Sequence, residues 1–383
     1  MARPAVAVIG LLLSGATFCV VALWNGRTAS TGPAPVVIGP KAVLLRTPDS
    51  FGHTAVAFSP DGRTVAAGRM ESSGAVVSLF DVASGRERAT IKASSVESCA
   101  VAFSPDGRTL AVSKNQGVSL YDPDKGHERA SLDAEYAFDP LKLAFSSDGR
   151  RLAAATVLGR VIVWDIETSR KPVAIEVHTR SVEGVSLSPD GHLVASASDG
   201  PIICHWYGPL GLPPQVFGAS AVGCGPDYGI VRLFDLSTGQ ELGSLKHQGT
   251  AHSVSFSPDG KLLASGGGGA AKLWDIAAGS ASTIIEAEDG LEVYCVSFSP
   301  DGLTLAVGLG SRDFGGSRGE ARLWDLKMGH VRAVLSGSKG KVRSLAFSPD
   351  GKALVTGSGE AVVLWDLPPA MSHGAGAGPA KSF

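Results

Sequence analysis

Side chains that could act in catalysis or bind a metal are scattered along this sequence. The nine histidines run from His53 to His373, and none lies in an HExxH metal motif. The sequence has no phosphate-binding glycine loop. His252, near the start of an alternating apolar run, is the strongest candidate among them, although such a histidine more often has a structural role. We therefore predict no catalytic residue, no cofactor and no bound metal.

Two cysteines lie close together in one proline-rich segment, residues 200–229. Cys204 and Cys224 could close this segment as a disulfide if the chain is exported to an oxidising compartment. With His205 they could instead supply three metal ligands. Zinc sites usually bring their ligands in tighter sequence pairs than this, which favours the disulfide over the metal.

The same segment and a second one contain side chains typical of protein recognition. Trp206, Tyr207 and Phe217 in residues 200–229 are of the types that anchor protein interfaces, although packing against their own domain is the commoner outcome. Residues 310–319 place Arg312, Phe314 and Arg318 among glycines. These arginines could bind an acidic or carboxylate group, and the alternative is a solvated loop.

The elements that must position these residues form a sequence repeat. Each unit has an alternating apolar run that ends in Phe or Leu, followed by Ser, Pro or Ser, Asp and Gly, a combination typical of a tight turn. The alternation predicts a strand with one buried face. The turn aspartates are Asp61, Asp106, Asp148, Asp190, Asp259, Asp301 and Asp350.

An aromatic residue followed by aspartate closes a third strand-like run in every unit. We interpret this aromatic as core filling between units, because large rings bury much area. The seven aromatics are Phe80, Tyr121, Trp164, Phe234, Trp274, Trp324 and Trp365. Four strand-like runs in about 40–45 residues are the pattern of a propeller blade.

On these motifs the chain resembles WD40-repeat β-propeller proteins of a bacterial, exported or membrane-anchored type, over roughly residues 41–367. The resemblance implies an all-β fold: a seven-bladed propeller of four-stranded antiparallel sheets. It also implies a hydrogen-bonded set of a histidine, an aspartate and the third-strand aromatic. His178 and Asp199 would form it with Phe234 in the fourth unit, and His247 would serve the fifth.

The two ends of the repeat region suggest how the ring closes. No fourth strand follows Trp365 and Asp366, whereas residues 41–46 form a strand-like run before the first unit. We expect this run to complete the last blade, which would remove two open sheet edges. Residues 368–383 are rich in Gly and Ala and are predicted to be a flexible tail.

The units differ mainly in the connection between their second and third strands. This connection is longer in units one, four and six, and residues 200–229 form the longest one. In propellers of this type these connections emerge on one face, together with the loops between blades. Three insertions on one face predict a binding surface built from loops.

The amino-terminal segment indicates export. Residues 5–24 contain no charged side chain, and 20 apolar residues can cross a hydrocarbon core of about 30 Å. Residues 1–24 are therefore predicted to be an apolar helix, either an uncleaved membrane anchor or a cleaved signal peptide. Residues 25–40 are predicted to be a flexible linker, and the propeller would be extracytoplasmic, periplasmic or secreted.

Composition narrows the function classes. The 34 basic and 36 acidic residues are not clustered, which argues against nucleic-acid binding. The repeated residues are all explained by turns and core, which favours a non-catalytic scaffold that binds a protein partner. The alternative is a propeller enzyme of the lactonase or hydrolase type, with a site at the mouth of the central channel.

Overall fold

The repeated motifs form short antiparallel strands, one four-stranded group per sequence unit. The computed structural model describes residues 34–46, 55–72, 74–93, 99–168, 172–200, 202–204, 224–226, 228–287, 290–312 and 318–368. These residues lie in one compact unit. In the first half of the chain the strands are β1 (Val36–Ile38), β2 (Ala42–Arg46), β3 (Ala55–Phe58), β4 (Thr64–Glu71), β5 (Gly74–Asp81), β6 (Glu87–Ala93), β7 (Val101–Phe103), β8 (Leu110–Lys114), β9 (Gln116–Tyr121), β10 (Glu128–Phe138), β11 (Pro140–Phe145), β12 (Arg151–Thr156), β13 (Arg160–Asp165) and β14 (Val173–Glu176).

The second half of the chain continues the same pattern, with one extra hairpin. Its strands are β15 (Val182–Leu187), β16 (Leu193–Asp199), β17 (Ile202–Cys204), β18 (Cys224–Pro226), β19 (Tyr228–Asp235), β20 (Glu241–Gln248), β21 (Ala251–Phe256), β22 (Leu262–Gly267), β23 (Ala270–Asp275), β24 (Ser280–Glu286), β25 (Leu291–Phe298), β26 (Thr304–Ser311), β27 (Arg318–Asp325), β28 (His330–Lys339), β29 (Val342–Phe347), β30 (Ala353–Ser358) and β31 (Ala361–Asp366).

Seven sheets follow each other along the chain as blades 1 to 7 of a propeller. Blades 1, 2, 3 and 5 each consist of four consecutive strands: β3–β6, β7–β10, β11–β14 and β21–β24. Blade 4 consists of β15, β16, β19 and β20, and the hairpin β17–β18 lies in the connection between its second and third strands. Blade 6 consists of β25–β28, and blade 7 of β29–β31 with β2 as its fourth strand.

The turn after each inner strand is stabilised by its own side chains. In blade 1 the Ser59 hydroxyl donates to Asp61 Oδ1 at 2.6 Å and accepts from the Thr64 amide at 2.9 Å. Gly62 has φ +71°, in the left-handed region that glycine adopts without strain. The same serine–aspartate bond occurs in the other six blades.

These turns also contact each other around the ring. A Cβ atom added to Gly107 of blade 2 would lie 3.4 Å from Cδ of Pro60 in blade 1. The equivalent contact joins Pro349 of blade 7 to Gly62 of blade 1, so the series of turns runs through all seven blades. Blade 3 has Ser147 in place of the proline, and there Gly191 of blade 4 lies beside the preceding residue, Ser146.

The hydrophobic core is divided into seven clusters, and each lies between two consecutive blades. Every cluster contains or contacts one third-strand aromatic: Trp164 packs with Leu120 of blade 2, and Phe80 packs with Val355 of blade 7. Six of the seven rings are buried, and Trp324 is partly buried. Burying each ring against the neighbouring sheet is what holds the blades together.

The residues before the first blade contact the last two blades. Residues Ala42–Arg46 pair antiparallel with β31, and Lys41 Nζ lies 2.8 Å from Asp366 Oδ1. Three residues of the segment expected to be a linker, Val36–Ile38, form strand β1 instead. β1 runs parallel to β28 at the outer edge of blade 6, because a β-branched run can pair with that free edge.

Several predicted features lie outside the described residues. These are the apolar segment 1–24, the start of the linker and the tail from residue 369 onward. Within the described ranges, the structure contains no helix with the length and apolar character needed to span a membrane.

Candidate functional site

The inner strands of all seven blades line one central channel. Two residues from each blade line a cavity of about 150 Å³ in this channel, for example Val56 in blade 1 and Leu345 in blade 7. The channel therefore has one mouth at the start of the inner strands and another at the serine–aspartate turns.

Irregular register distinguishes the start of the inner strand in blades 3 to 7. In each of these blades one residue is skipped in the pairing with the second strand, which makes a β-bulge. A bulge redirects a side chain and often lies beside a functional site. The skipped residues are Leu141, Glu183, His252, Tyr294 and Arg343.

Blades 5 and 6 bring three of the polar side chains at this mouth into contact. The His252 and Tyr294 rings stack with their centroids 5.1 Å apart. The Tyr294 hydroxyl donates to Glu292 Oε2 at 2.9 Å, and Glu292 Oε1 lies 3.9 Å from His252 Nε2. Thr250 Oγ1 lies 2.6 Å from the same histidine nitrogen.

Basic side chains surround the same tyrosine from blade 7. Lys341 Nζ lies 5.1 Å from the centroid of the Tyr294 ring, and Arg343 Cζ lies 5.4 Å from it, both within cation–π range. We name His252, Glu292, Tyr294, Lys341 and Arg343 the mouth cluster.

Burial and neighbouring charges shift the pKa values in this cluster. Burial, together with the Glu292 carboxylate, raises the pKa of Tyr294. For Glu292 itself burial acts upward, but contacts with His252 and Tyr294 and the charge of Arg312 outweigh it, so its pKa is lowered. The tyrosine is therefore a hydrogen-bond donor and the glutamate a carboxylate at neutral pH.

Blade 4 contributes acidic groups next to this cluster. Burial and the charge of Glu183 raise the pKa of Asp199, whereas His252 and Arg180 act in the opposite direction. Asp199 Oδ1 is buried and has no hydrogen-bond partner among the described residues. The mouth thus changes from acidic at blade 4 to basic at blade 7.

Asp199 does not have the partner that the sequence resemblance implies. The His178 ring contacts Ser196 Oγ at 2.9 Å, and Asp199 instead interacts with the charged groups of the mouth. Ser196 and Asp199 lie on the same strand, β16, but Asp199 is the last residue of that strand, whereas Ser196 is buried inside the blade. The hydrogen-bonded set of blade 4 therefore contains His178 and Ser196, without Asp199.

The predicted recognition arginines take different positions. Arg312 follows β26 and contributes to the electrostatics of Glu292 and Tyr294, so it belongs to the surroundings of the mouth cluster. Arg318 begins β27 and lies 3.5 Å from Glu320, which also binds Arg322 at 2.6 Å. Trp206, Tyr207, Phe217, His205 and Phe314 lie outside the described residues.

The two cysteines of the blade 4 insertion are opposite each other in the backbone register. Cys204 of β17 and Cys224 of β18 are direct Cα partners in an antiparallel pair. This register is compatible with the predicted disulfide, and the bond itself stays a prediction. Cys99 and Cys295 are free thiols buried in the propeller.

Sequence reasoning singled out His252 but not its neighbours. Glu183, Tyr294 and Arg343 stand at the same repeat position as His252, seven residues before the turn aspartate. Aligning the units on that aspartate would have revealed them. No group of three or more His, Cys, Asp or Glu side chains in the described part of the chain is arranged to hold a metal ion.

Comparison with known proteins identifies the repeats. The model of the WD40 family, described as "WD domain, G-beta repeat", matches residues 170–206, 239–275, 280–325 and 329–366. These matches fall in blades 5, 6 and 7, which carry the mouth cluster, and in blade 4. WD40 repeats and a seven-bladed propeller are thus supported.

Curated relatives match part of the chain. A WD repeat-containing protein SL1-17 of Schistosoma mansoni is 29% identical over 150 residues, which cover 39% of this chain and 48% of the relative. A serine-threonine kinase receptor-associated protein of Gallus gallus is 28% identical over 52% of this chain and 61% of the relative. A guanine nucleotide-binding protein subunit beta of Arabidopsis thaliana is 28% identical over 59% and 55%. The matches thus span about half to three-fifths of each relative.

A solved structure has the same architecture. A chain in the crystal structure of a mitotic checkpoint complex superposes with a TM-score of 0.68 over 96% of this chain and 99% of its own length. At 18% sequence identity this similarity concerns the fold alone.

Proposed function

We propose that this propeller is a non-catalytic scaffold that binds a protein partner on the face containing the mouth cluster and the loop insertions. The observation that carries the proposal is the position of the mouth cluster. Its His252, Tyr294 and Arg343 occupy the repeat position where other blades have Leu141 or Cys99, so turns and core do not explain them. Tyrosine and arginine are also the residue types enriched at interface hot spots.

The names of the relatives support the same class of function. They include a subunit of a larger protein and a receptor-associated protein, and the similar fold comes from a complex. Each name describes a protein that assembles with others. We infer a comparable role for this chain, with the loops of blades 4 and 6 flanking the binding surface.

A hydrolase site at the same mouth is the competing function, and one geometric observation argues against it. A relay of the Ser-His-Asp kind uses both ring nitrogens, one for the nucleophile and one for the carboxylate. Here Thr250 and Glu292 both lie nearest the same nitrogen, Nε2 of His252. The threonine hydroxyl and the carboxylate therefore compete for one position.

Affinity capture with two full-length variants and one deletion variant tests the scaffold proposal. Arg343→Glu reverses one charge of the mouth cluster, and deletion of residues 201–228 removes the blade 4 insertion. Lys352→Glu, in the turn on the opposite face, is the matched control. We expect a partner to be lost from Arg343→Glu and retained by Lys352→Glu. If all the variants capture the same partners, the proposed surface is contradicted. The deletion variant shows separately whether the blade 4 insertion contributes to binding.

We also infer that residues 41–46 close the ring and so keep the scaffold rigid. The pairing of β2 with β31 supports this, because without it β31 would be an open edge. Deletion of residues 41–46 should sharply lower the unfolding temperature, and an unchanged melting curve would contradict the closure.

A further inference from the structure

One lysine interrupts a ring of small residues in the central channel. Every blade contributes to the channel lining the residue that stands six positions before its turn aspartate. Six of these seven residues are small and one is long and cationic. The ring consists of Ala55, Ala100, Lys142, Gly184, Ser253, Cys295 and Ser344.

The Lys142 ammonium group is poorly satisfied by the protein. Its one hydrogen-bond acceptor among the described residues is the carbonyl oxygen of Arg343, at the long distance of 3.5 Å. An ammonium group has three hydrogens to donate. At least two of them therefore have no acceptor among the described residues.

The charges around this lysine do not neutralise it. The groups that act on it electrostatically are Cys295, Glu183 and Arg343. Burial raises the pKa of the Cys295 thiol to about 12, so the thiol is neutral. Glu183 acts to raise the pKa of Lys142 and Arg343 acts to lower it, and no carboxylate among the described residues forms an ion pair with the ammonium group. Burial accordingly lowers the pKa of Lys142.

Two serine hydroxyls in the same ring are also available as donors. Ser253 Oγ accepts from the Val296 amide at 3.2 Å, and Ser344 Oγ accepts from the Val56 amide at 3.1 Å. Neither hydroxyl hydrogen has an acceptor within the part of the chain that the structure describes. The ring therefore presents three donor groups around one cavity, a composition that suits an anion.

The remaining lining restricts the kind of anion. The next residues of the inner strands are apolar, including Val185, Val254 and Val296. A cavity of 150 Å³ has room for on the order of five water molecules at about 30 Å³ each. A multiply charged anion would leave charge unpaired against these valines, whereas a short hydrocarbon tail would pack against them.

We propose that the channel binds a small monocarboxylate of the size of acetate to butyrate. The carboxylate group pairs with the Lys142 ammonium and accepts from the Ser253 and Ser344 hydroxyls. The hydrocarbon part lies against the valine lining. The proposal does not rest on the proposed protein-binding function, although Arg343 belongs to both sites.

Calorimetric titration of the full-length protein with propionate tests the site. We expect saturable binding with a Kd of about 1 mM, because one desolvated ion pair and a short apolar tail give an affinity of that order. Lys142→Met keeps the stem and removes the charge, and should weaken binding at least about tenfold. Lys272→Met, whose ammonium contacts the Lys246 carbonyl oxygen at 3.0 Å outside this ring, is the matched control and should bind normally.

Two further probes keep the result unambiguous. Propionamide has the same shape without the charge and should not bind. If Lys142→Met does not fold, Lys142→Arg retains the charge, and propionate should still raise its unfolding temperature. The proposal is overturned if propionate does not saturate the protein at about ten times the expected Kd, or if Lys142→Met binds as tightly as the unchanged protein. Equal binding of propionamide would also overturn it, since the ammonium would then play no part.

Discussion

Blades 5 and 3 have the same strands and turns but treat their third-strand tryptophan differently. In blade 5, Trp274 Nε1 donates to Ser265 Oγ at 2.7 Å, and the His247 ring contacts the same oxygen at 2.7 Å. In blade 3, Trp164 Nε1 is buried and has no acceptor among the described residues. The two rings occupy equivalent positions, so the difference lies in their surroundings.

The strand register shows that one residue position in the second strand accounts for the different hydrogen bonding of Trp274 and Trp164. Trp274 pairs with Leu263, and Ser265 follows two residues later on the same face of β22. Trp164 pairs with Leu152, and the residue two positions later is Ala154. Blade 7 has a hydroxyl there as well, since Trp365 donates to Thr356 at 2.9 Å. Apolar packing thus suffices to build a blade, and the hydroxyl adds a local hydrogen-bond network.

The largest effect expected from this contrast is a dependence of stability on pH. Burial lowers the pKa of His247 to about 4, below its ordinary value of 6.5. The unfolded chain therefore binds a proton that the folded protein does not, and the free energy of unfolding falls as the pH drops from 6.5 toward 4. His247 alone should contribute about 3 kcal/mol to this loss. Urea unfolding across this range measures it.

Two variants assign this pH dependence to blade 5. His247→Gln should weaken it, whereas His192→Gln, which changes an exposed histidine, should leave it as it is. Equal slopes for His247→Gln and the unchanged protein would show that the buried histidine is not responsible.

Ser265→Ala gives blade 5 the alanine that blade 3 has at the same position, and it should have the second largest effect on stability. It leaves the Trp274 nitrogen and the His247 ring without their shared partner, at a cost of about 2 kcal/mol in the free energy of unfolding. Adding Trp274→Phe removes one unsatisfied donor and should recover part of the loss. Chemical denaturation measures both, and an unchanged midpoint for Ser265→Ala would contradict the role of the network.

Ala154→Ser is the reverse change, and its effect should be the smallest. It supplies an acceptor for Trp164 and should raise the free energy of unfolding by about 1 kcal/mol. In a Trp164→Phe background the same substitution should bring no gain, because no donor remains. A similar gain in both backgrounds would mean that the serine acts through something other than the tryptophan.

The sequence predicts the blades well because their determinants are local. The turn of blade 1 depends on Ser59, Asp61 and Gly62, which are neighbours in the chain and contact one another in the fold. The aromatic of each unit is equally readable, because its burial follows from its strand position. Seven such units in series therefore predict a propeller.

Features that join different blades were harder to predict. His252 can be singled out from the sequence, but its partners Glu292 and Tyr294 come from the next unit. The bulge that places Tyr294 depends on how β25 pairs with β26. Strand β1 also depends on a distant edge, that of β28, and its own residues look like part of a linker.

The attachment of β1 and β2 to blades 6 and 7 has a consequence for biosynthesis. β2 ends at Arg46, and its partner β31 ends at Asp366, 320 residues later (366 − 46). At roughly 5 to 20 residues per second, a ribosome needs on the order of half a minute to make that stretch. Throughout this interval β2 has no partner, and β1 has none until β28 is complete at Lys339. Val36 and Val37, which are exposed even in the finished fold, are open to other chains during that time. Assembly of this protein is therefore most vulnerable at its start, where chaperone protection would matter most.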